Sequence, residues 1–304
     1  GVPGGSDFPP MAHQADAAHK QGGMVTWAHF PNPFGELAVD VALGKIDTVD
    51  LFTLGDAFKG EPSPIDWWYK FLNLGFRLPA TAGTDKMTNT QITGSARVYA
   101  HIPDADFIYD NWIEALRHGR SFVTTGPMIF FKVNGKDIGT VLKLKGNEIV
   151  HLEAEVVSPH DQYPLETFEI IHNGKVIAAL DNVSGQTTMK LEKEVVVMES
   201  SWFAARTYGG QPLPYNIYVN SKGMPPMAHT SPIYVDIKGK RIWSKDDAEF
   251  LIKQCNNAIE WVKTNAQVQS EEQRTEMITL FDKAKSVYLA GNSMLFLKST
   301  TKSR

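Results

Sequence analysis

The chain has 304 residues, 42% hydrophobic and 21% charged, which is enough apolar material for two cores. A formal net charge of −4 excludes the basic field that nucleic acid demands, and no apolar run approaches the length of a membrane span. A single cysteine, Cys255, excludes an internal disulfide and a multi-cysteine zinc cluster. Its helical surroundings predict a small core hydrophobe.

The opening GVPGGSDFPP has the features of neither a signal peptide nor a domain start. It reads as a loop entering the helix MAHQADAAHKQ, so the expectation is that the chain begins partway through a larger domain. From about Pro10 to Pro127, helix and strand patterns alternate. The helix stops at Gly22-Gly23, and the apolar strand MVTWAH follows, ending in His29. ELAVDVALGK reads as a helix, TVDLFTL as a strand ending at Gly55-Asp56, and DWWYKFLNLG as an amphipathic helix. LPATAGTD is a short strand ending in Asp85; ARVYAHI, DNWIEALRHG and SFVTT continue the alternation to Gly126-Pro127. This order predicts α/β architecture with a parallel sheet or barrel.

From Met128 to about Ile237 short strand patterns follow one another without helices, among them IFFKV, EIVHLEAEVV, TFEIIH, KVIAAL, TTMKLEKEVVV, WFAARTY and SPIYVDI. Asn134-Gly135 and Asn173-Gly174 are strong hairpin turns, and HLEAEV and MKLEKEV alternate as half-exposed strands do. The expectation is a β-sandwich. From Ser244 the chain turns helical, with Ser244 and Ser270 as N-caps ahead of acidic first turns.

In parallel βα architectures chemistry collects at the C-terminal ends of strands, and here three successive strand patterns end in His29, Asp56 and Asp85. Imidazole nitrogen and carboxylate oxygen suit zinc, iron or manganese, and Glu36 offers a further carboxylate just past the Pro-rich loop. Arg97 in GSARVY has two readings, an anion clamp and an ion pair at a strand. Thr124 and Thr125 either line a pocket or close a turn.

GGMVTWAHFP, ELAVDVALGKIDTVDL, WYKFLNLGFRLPATAGTD and GSARVYAHI…WIEALRHGRSFVTTGPM together resemble the carbaryl-hydrolase-like (CehA/McbA) family of metallohydrolases, within the polymerase-and-histidinol-phosphatase (PHP) superfamily. The likeness runs from about Pro9 to Met128, and IIHNGK, AHTSPIYV and the final helical pair resemble that family's C-terminal portion. The resemblance implies a distorted, TIM-like βα barrel with two or three divalent metal ions (zinc, manganese or iron), hydrolysing a small-molecule phosphoester, ester or carbamate. Residue by residue it makes His29 and Asp85 metal ligands; Asp85 and, from the reading of the residues themselves, Arg97 stand as catalytic candidates, with Asp56 and Glu36 as the further metal-site carboxylates of the strand-end reading.

Two departures qualify the match. Met87 stands where a second histidine is expected, and the opening His-x-His motif and the middle ligands would lie before Gly1. The expected organisation is therefore the C-terminal part of a PHP-type barrel over 1–127, an immunoglobulin-like β-sandwich over 128–239, and C-terminal helices over 240–304. Alone, such a chain should be inactive, with homo-oligomerisation or the missing barrel half as its natural complement. Periplasm, extracellular space and cytoplasm are all compatible with it. The competing expectation is a non-catalytic β-sandwich binding module attached to a relic half barrel.

Overall fold

A computed structural model describes residues 5–52, 60–87, 89, 92–102, 106–158, 165–209 and 225–291. In chain order the elements begin with α1 (Met11–Lys20), β1 (Thr26–Trp27), α2 (Phe34–Ala42), β2 (Thr48–Asp50), α3 (Pro64–Leu72), β3 (Ala80–Thr81), β4 (Arg97–Ala100), α4 (Tyr109–Arg117) and β5 (Ser121–Thr124). There follow β6 (Met128–Val133), β7 (Lys136–Asp137), β8 (Val141–Leu144), β9 (Glu148–Val157), β10 (Thr167–His172), β11 (Lys175–Asp181), β12 (Thr188–Val197), β13 (Ser201–Tyr208), β14 (Met227–Thr230) and β15 (Ile233–Ile237). The chain closes with α5 (Lys245–Thr264) and α6 (Glu271–Leu289). It divides into two units.

The helical unit takes the described parts of Gly1–Trp27, Pro31–Asp47 and Trp243–Arg304. Ser244 caps α5 by accepting the Asp247 N–H (3.3 Å), and Ser270 caps α6 by accepting the Gln273 N–H (3.4 Å). Acidic residues fill both first turns, where the helix dipole favours them. Apolar spacing sends Leu251, Cys255, Ile259 and Val262 of α5 and Met277, Phe281 and Ala284 of α6 inward, and α2 buries everything from Leu37 to Ala42. Gly35 makes the α2–α5 approach possible, since a Cβ there would stand 2.7 Å from the Ala258 Cβ. Cys255 is a buried free thiol, as expected, and burial pushes its pKa up to about 12.

The second unit holds Ala28–Phe30 and Thr48–Ile242. In it β2 and β3 pair parallel, with Val49 opposite Ala80 and Asp50 opposite Thr81. Two larger sheets follow. One has eight strands, in the order β11-β10-β13-β14-β5-β4, with β15 also on β13 and β8 parallel to β15. The other is the antiparallel β12-β9-β6-β7. Alternate residues of both sheets, including Phe131, Val150, Leu152 and Val156 on one side and Phe168, Ile170, Phe203 and Ala205 on the other, share one core. Asn134-Gly135 and Asn173-Gly174 form the expected turns, each with two successive positive φ angles between paired strands.

The α/β-plus-β content matches the sequence. Among the described residues no barrel closes. Although β4 and β5 lie in the alternating region, they pair antiparallel with each other, and β5 pairs with β14. Phe122 of β5 enters the two-sheet core. The reason is non-local: β5 is buried along its whole length, and the strand that covers its free edge comes from a hundred residues later.

Candidate functional site

The strand ends place the sequence candidates as follows. His29 stands two residues past β1, exposed, in the second unit. Asp85 stands four residues past β3, half-buried. Both adopt left-handed backbone, His29 at φ 56° and Asp85 at φ 50°. Such conformations disfavour side chains bearing a Cβ, and where they persist the surrounding structure holds them.

The Asp85 loop is tied down on both sides. The Thr84 hydroxyl accepts the Gly94 N–H (2.7 Å) and donates to the Ala96 carbonyl (3.3 Å), fixing the loop to the turn that leads into β4. Arg97, the first residue of β4, donates through Nη1 to the Gly94 carbonyl and through Nε to the Tyr99 hydroxyl (3.3 Å), with its guanidinium 5.8 Å from the Tyr99 ring centroid. Arg97 is thus held by a carbonyl and a phenol, and it braces the turn against which Asp85 is anchored. Met87, two residues on, is 80% exposed.

A further residue belongs with these. Strand β2 ends at Asp50, whose Oδ1 accepts the Phe52 N–H (3.2 Å). Its Oδ2 lies 3.2 Å from where a Cβ on Gly83 would stand, so glycine at 83 lets the Asp85 loop pass close to this carboxylate. TVDLFTL reads as one strand running to Asp56, but the strand is only three residues long and ends at Asp50. Asp56 lies outside the described residues.

Glu36 falls in the helical unit, in the first turn of α2. Its Oε1 accepts the Met11 N–H (2.8 Å), satisfying one of the orphan donors that open α1. Burial raises its pKa; the Met11 bond opposes that shift and Asp7 adds to it. Among the described residues, no three His, Cys, Asp or Glu side chains are grouped to hold a metal ion.

Other candidates are committed to structure. The Thr124 hydroxyl accepts the Gly126 N–H (2.9 Å) and lies 2.6 Å from the Pro127 carbonyl. Thr125 accepts the Met227 N–H and donates to the Pro225 carbonyl, both at 2.9 Å. Both side chains are buried, and together they close the turn after β5.

His229 is the centre of a buried network that strand register builds. Glu169 lies opposite Arg206, and Arg206 opposite His229, across β10, β13 and β14. Tyr69 of α3 reaches this row of side chains. His229 Nδ1 lies 2.7 Å from the Thr230 carbonyl, which can only accept, so this nitrogen carries the proton. Nε2 therefore accepts the Tyr69 O–H (2.6 Å). Arg206 donates to Tyr69 Oη (3.3 Å) and to Glu169 Oε2 (2.6 Å). Burial drives His229 down to about 3 and Tyr69 up to about 12, so both are neutral. His229 holds α3 to the sheet. His19 (to Asp47, 2.9 Å) and His118 (Nδ1 to the Glu114 carbonyl, 2.8 Å) are locally satisfied, and His172 stacks on Phe203 with centroids 4.4 Å apart.

Comparison with family models, with curated proteins and with solved structures finds no match.

Proposed function

We propose that this chain supplies His29 and Asp85 to the metal site of a PHP-type hydrolase that cleaves a phosphoester, ester or carbamate bond of a small molecule. The supporting observation is their shared placement: each lies just past a short strand, on left-handed backbone. Strain of this kind collects where the aim of a side chain is used.

The donor types, imidazole and carboxylate, suit zinc, manganese or iron. Their number does not. A catalytic site takes about three protein ligands, and the described residues gather no such group. The chain is then one contributor to the centre and inactive alone. Its own residues shape the surroundings. Thr84 and Arg97 fix the Asp85 loop, and Asp50 lies against Gly83 beside it.

The same shortfall of ligands favours the rival, a relic half barrel carrying a binding module. One assay separates the two. The natural gene product containing these residues is offered model phosphoesters and aryl carbamates with zinc or manganese. Turnover abolished by His29→Ala and by Asp85→Ala is expected. No turnover, or turnover indifferent to both substitutions, overturns the proposal.

A further inference from the structure

Asp40 is a carboxylic acid in the middle of an otherwise apolar helix. It lies in LAVDVA of α2, where every residue from Leu37 to Ala42 is buried, and its own exposure is 0%. Among the described residues neither carboxyl oxygen has a hydrogen-bond partner. A buried carboxylate is expected to be paired with a cation or to take up a proton.

The charges around it do not favour ionisation. Glu36 lies one turn earlier on the same helix, and Asp16 of α1 adds a second negative group. The one cation among the described residues that acts on Asp40 is Lys45, whose Nζ bonds to Asp16 Oδ1 at 2.5 Å, although the Lys45 N–H bonds back to the Asp40 carbonyl (2.9 Å). Among the described residues, the groups whose charge acts on Asp40 are Glu36, Lys45 and Asp16, and none belongs to α5 or α6, the other helices packed on α2. The buried titratable groups of α5 and α6 are Cys255 and Tyr288; the Tyr288 hydroxyl donates to the Ala38 carbonyl (2.6 Å). Lys285 of α6, which acts on Cys255, pairs with Asp282 (2.6 Å).

We propose that Asp40 is a pH-sensitive latch of the helical unit: its protonated form packs in place, and its ionisation loosens α2 and the α1 helix beside it. Burial is the main cause that lifts this carboxyl from 3.8 to about 8, with Glu36 second. The sign follows from the raised value. The folded unit holds a proton that the unfolded unit gives up near 3.8, so Asp40's contribution is complete below that pH and is lost as pH rises toward 8. Across that window the opening equilibrium governed by Asp40 grows by about tenfold per pH unit.

The test is hydrogen exchange of the full chain at a series of pH values, corrected for intrinsic exchange and read on peptides from α1 and α2. Protection in the native protein should fall toward alkaline pH, while Asp40→Asn should remove that dependence. A carbon-13 NMR titration of the Asp40 carboxyl in the unmutated protein gives a second readout that needs no variant, and a midpoint above neutrality is expected. An identical pH response in native protein and Asp40→Asn overturns the proposal, as does a carboxyl that titrates at about 4, where ordinary aspartates do.

Discussion

Replacing His229 by alanine tests whether this histidine is structural. The substitution removes the acceptor of the Tyr69 O–H and the donor to the Thr230 carbonyl, both inside a buried network. Each orphaned group costs about 1–3 kcal/mol. The emptied imidazole volume, walled by Trp68 at 4.9 Å between ring centroids, adds a cavity term. The expected total is about 4 kcal/mol, a large share of the roughly 5–15 kcal/mol that holds a typical domain folded. Tyr69→Phe, which leaves the ring in place, should cost about 2 kcal/mol, and the two losses should fall short of additive because they share one bond. Urea unfolding followed by tryptophan fluorescence reports the region directly, since Trp68 and Trp202 pack around Tyr69. The pH dependence gives a second check. The folded His229 is depressed from 6.5 to about 3, so its contribution is complete above 6.5 and is lost as pH falls toward 3. The gap between native protein and His229→Ala should therefore narrow by about 1.4 kcal/mol per pH unit below 6.5, and close before pH 3. A loss below about 1 kcal/mol, or a gap that does not change with pH, refutes the assignment.

Two other substitutions probe the frame. Gly139→Ala places a Cβ 2.2 Å from the His118 carbonyl oxygen at a residue with φ 80°, so a loss of about 3 kcal/mol or failure to fold is expected in thermal unfolding. Ser63→Ala removes the capping box at the start of α3, where Ser63 Oγ accepts the Asp66 N–H at 3.2 Å and Asp66 accepts the Ser63 N–H at 2.9 Å. It should cost about 1 kcal/mol, and Ser63→Thr should recover most of it.

What could be read in the sequence was what local chemistry determines. Asn134-Gly135 and Asn173-Gly174 announce their turns because only a few residues accept successive positive φ, and Ser244 and Ser270 announce helix starts because a hydroxyl before an acidic turn has few other uses. The strands β9 and β12 announce themselves by the alternation in HLEAEV and MKLEKEV. Partnership was not readable. Nothing local in SFVTT says that β5 will pair with β14, and the short β14 hides in MAHT between Pro226 and Pro232. At the site, His29 and Asp85 were visible as polar ends of apolar runs. Asp50 is hidden because TVDLFTL has the pattern of one long strand, and Glu36 is visible as an acid but not as the acceptor for Met11.

The central claim is that His29 and Asp85 serve one metal ion. Calorimetric titration of residues 1–304 with zinc and with manganese, repeated on His29→Ala, Asp85→Ala and the double substitution, tests it most directly. The expected result is weak binding that either single substitution abolishes and the double reduces no further, with no turnover of phosphoesters or aryl carbamates, since the described residues gather fewer than about three ligands. Binding untouched by either substitution contradicts the shared site. Submicromolar binding with His29-dependent turnover contradicts the incomplete one, by showing that this chain already carries a working centre.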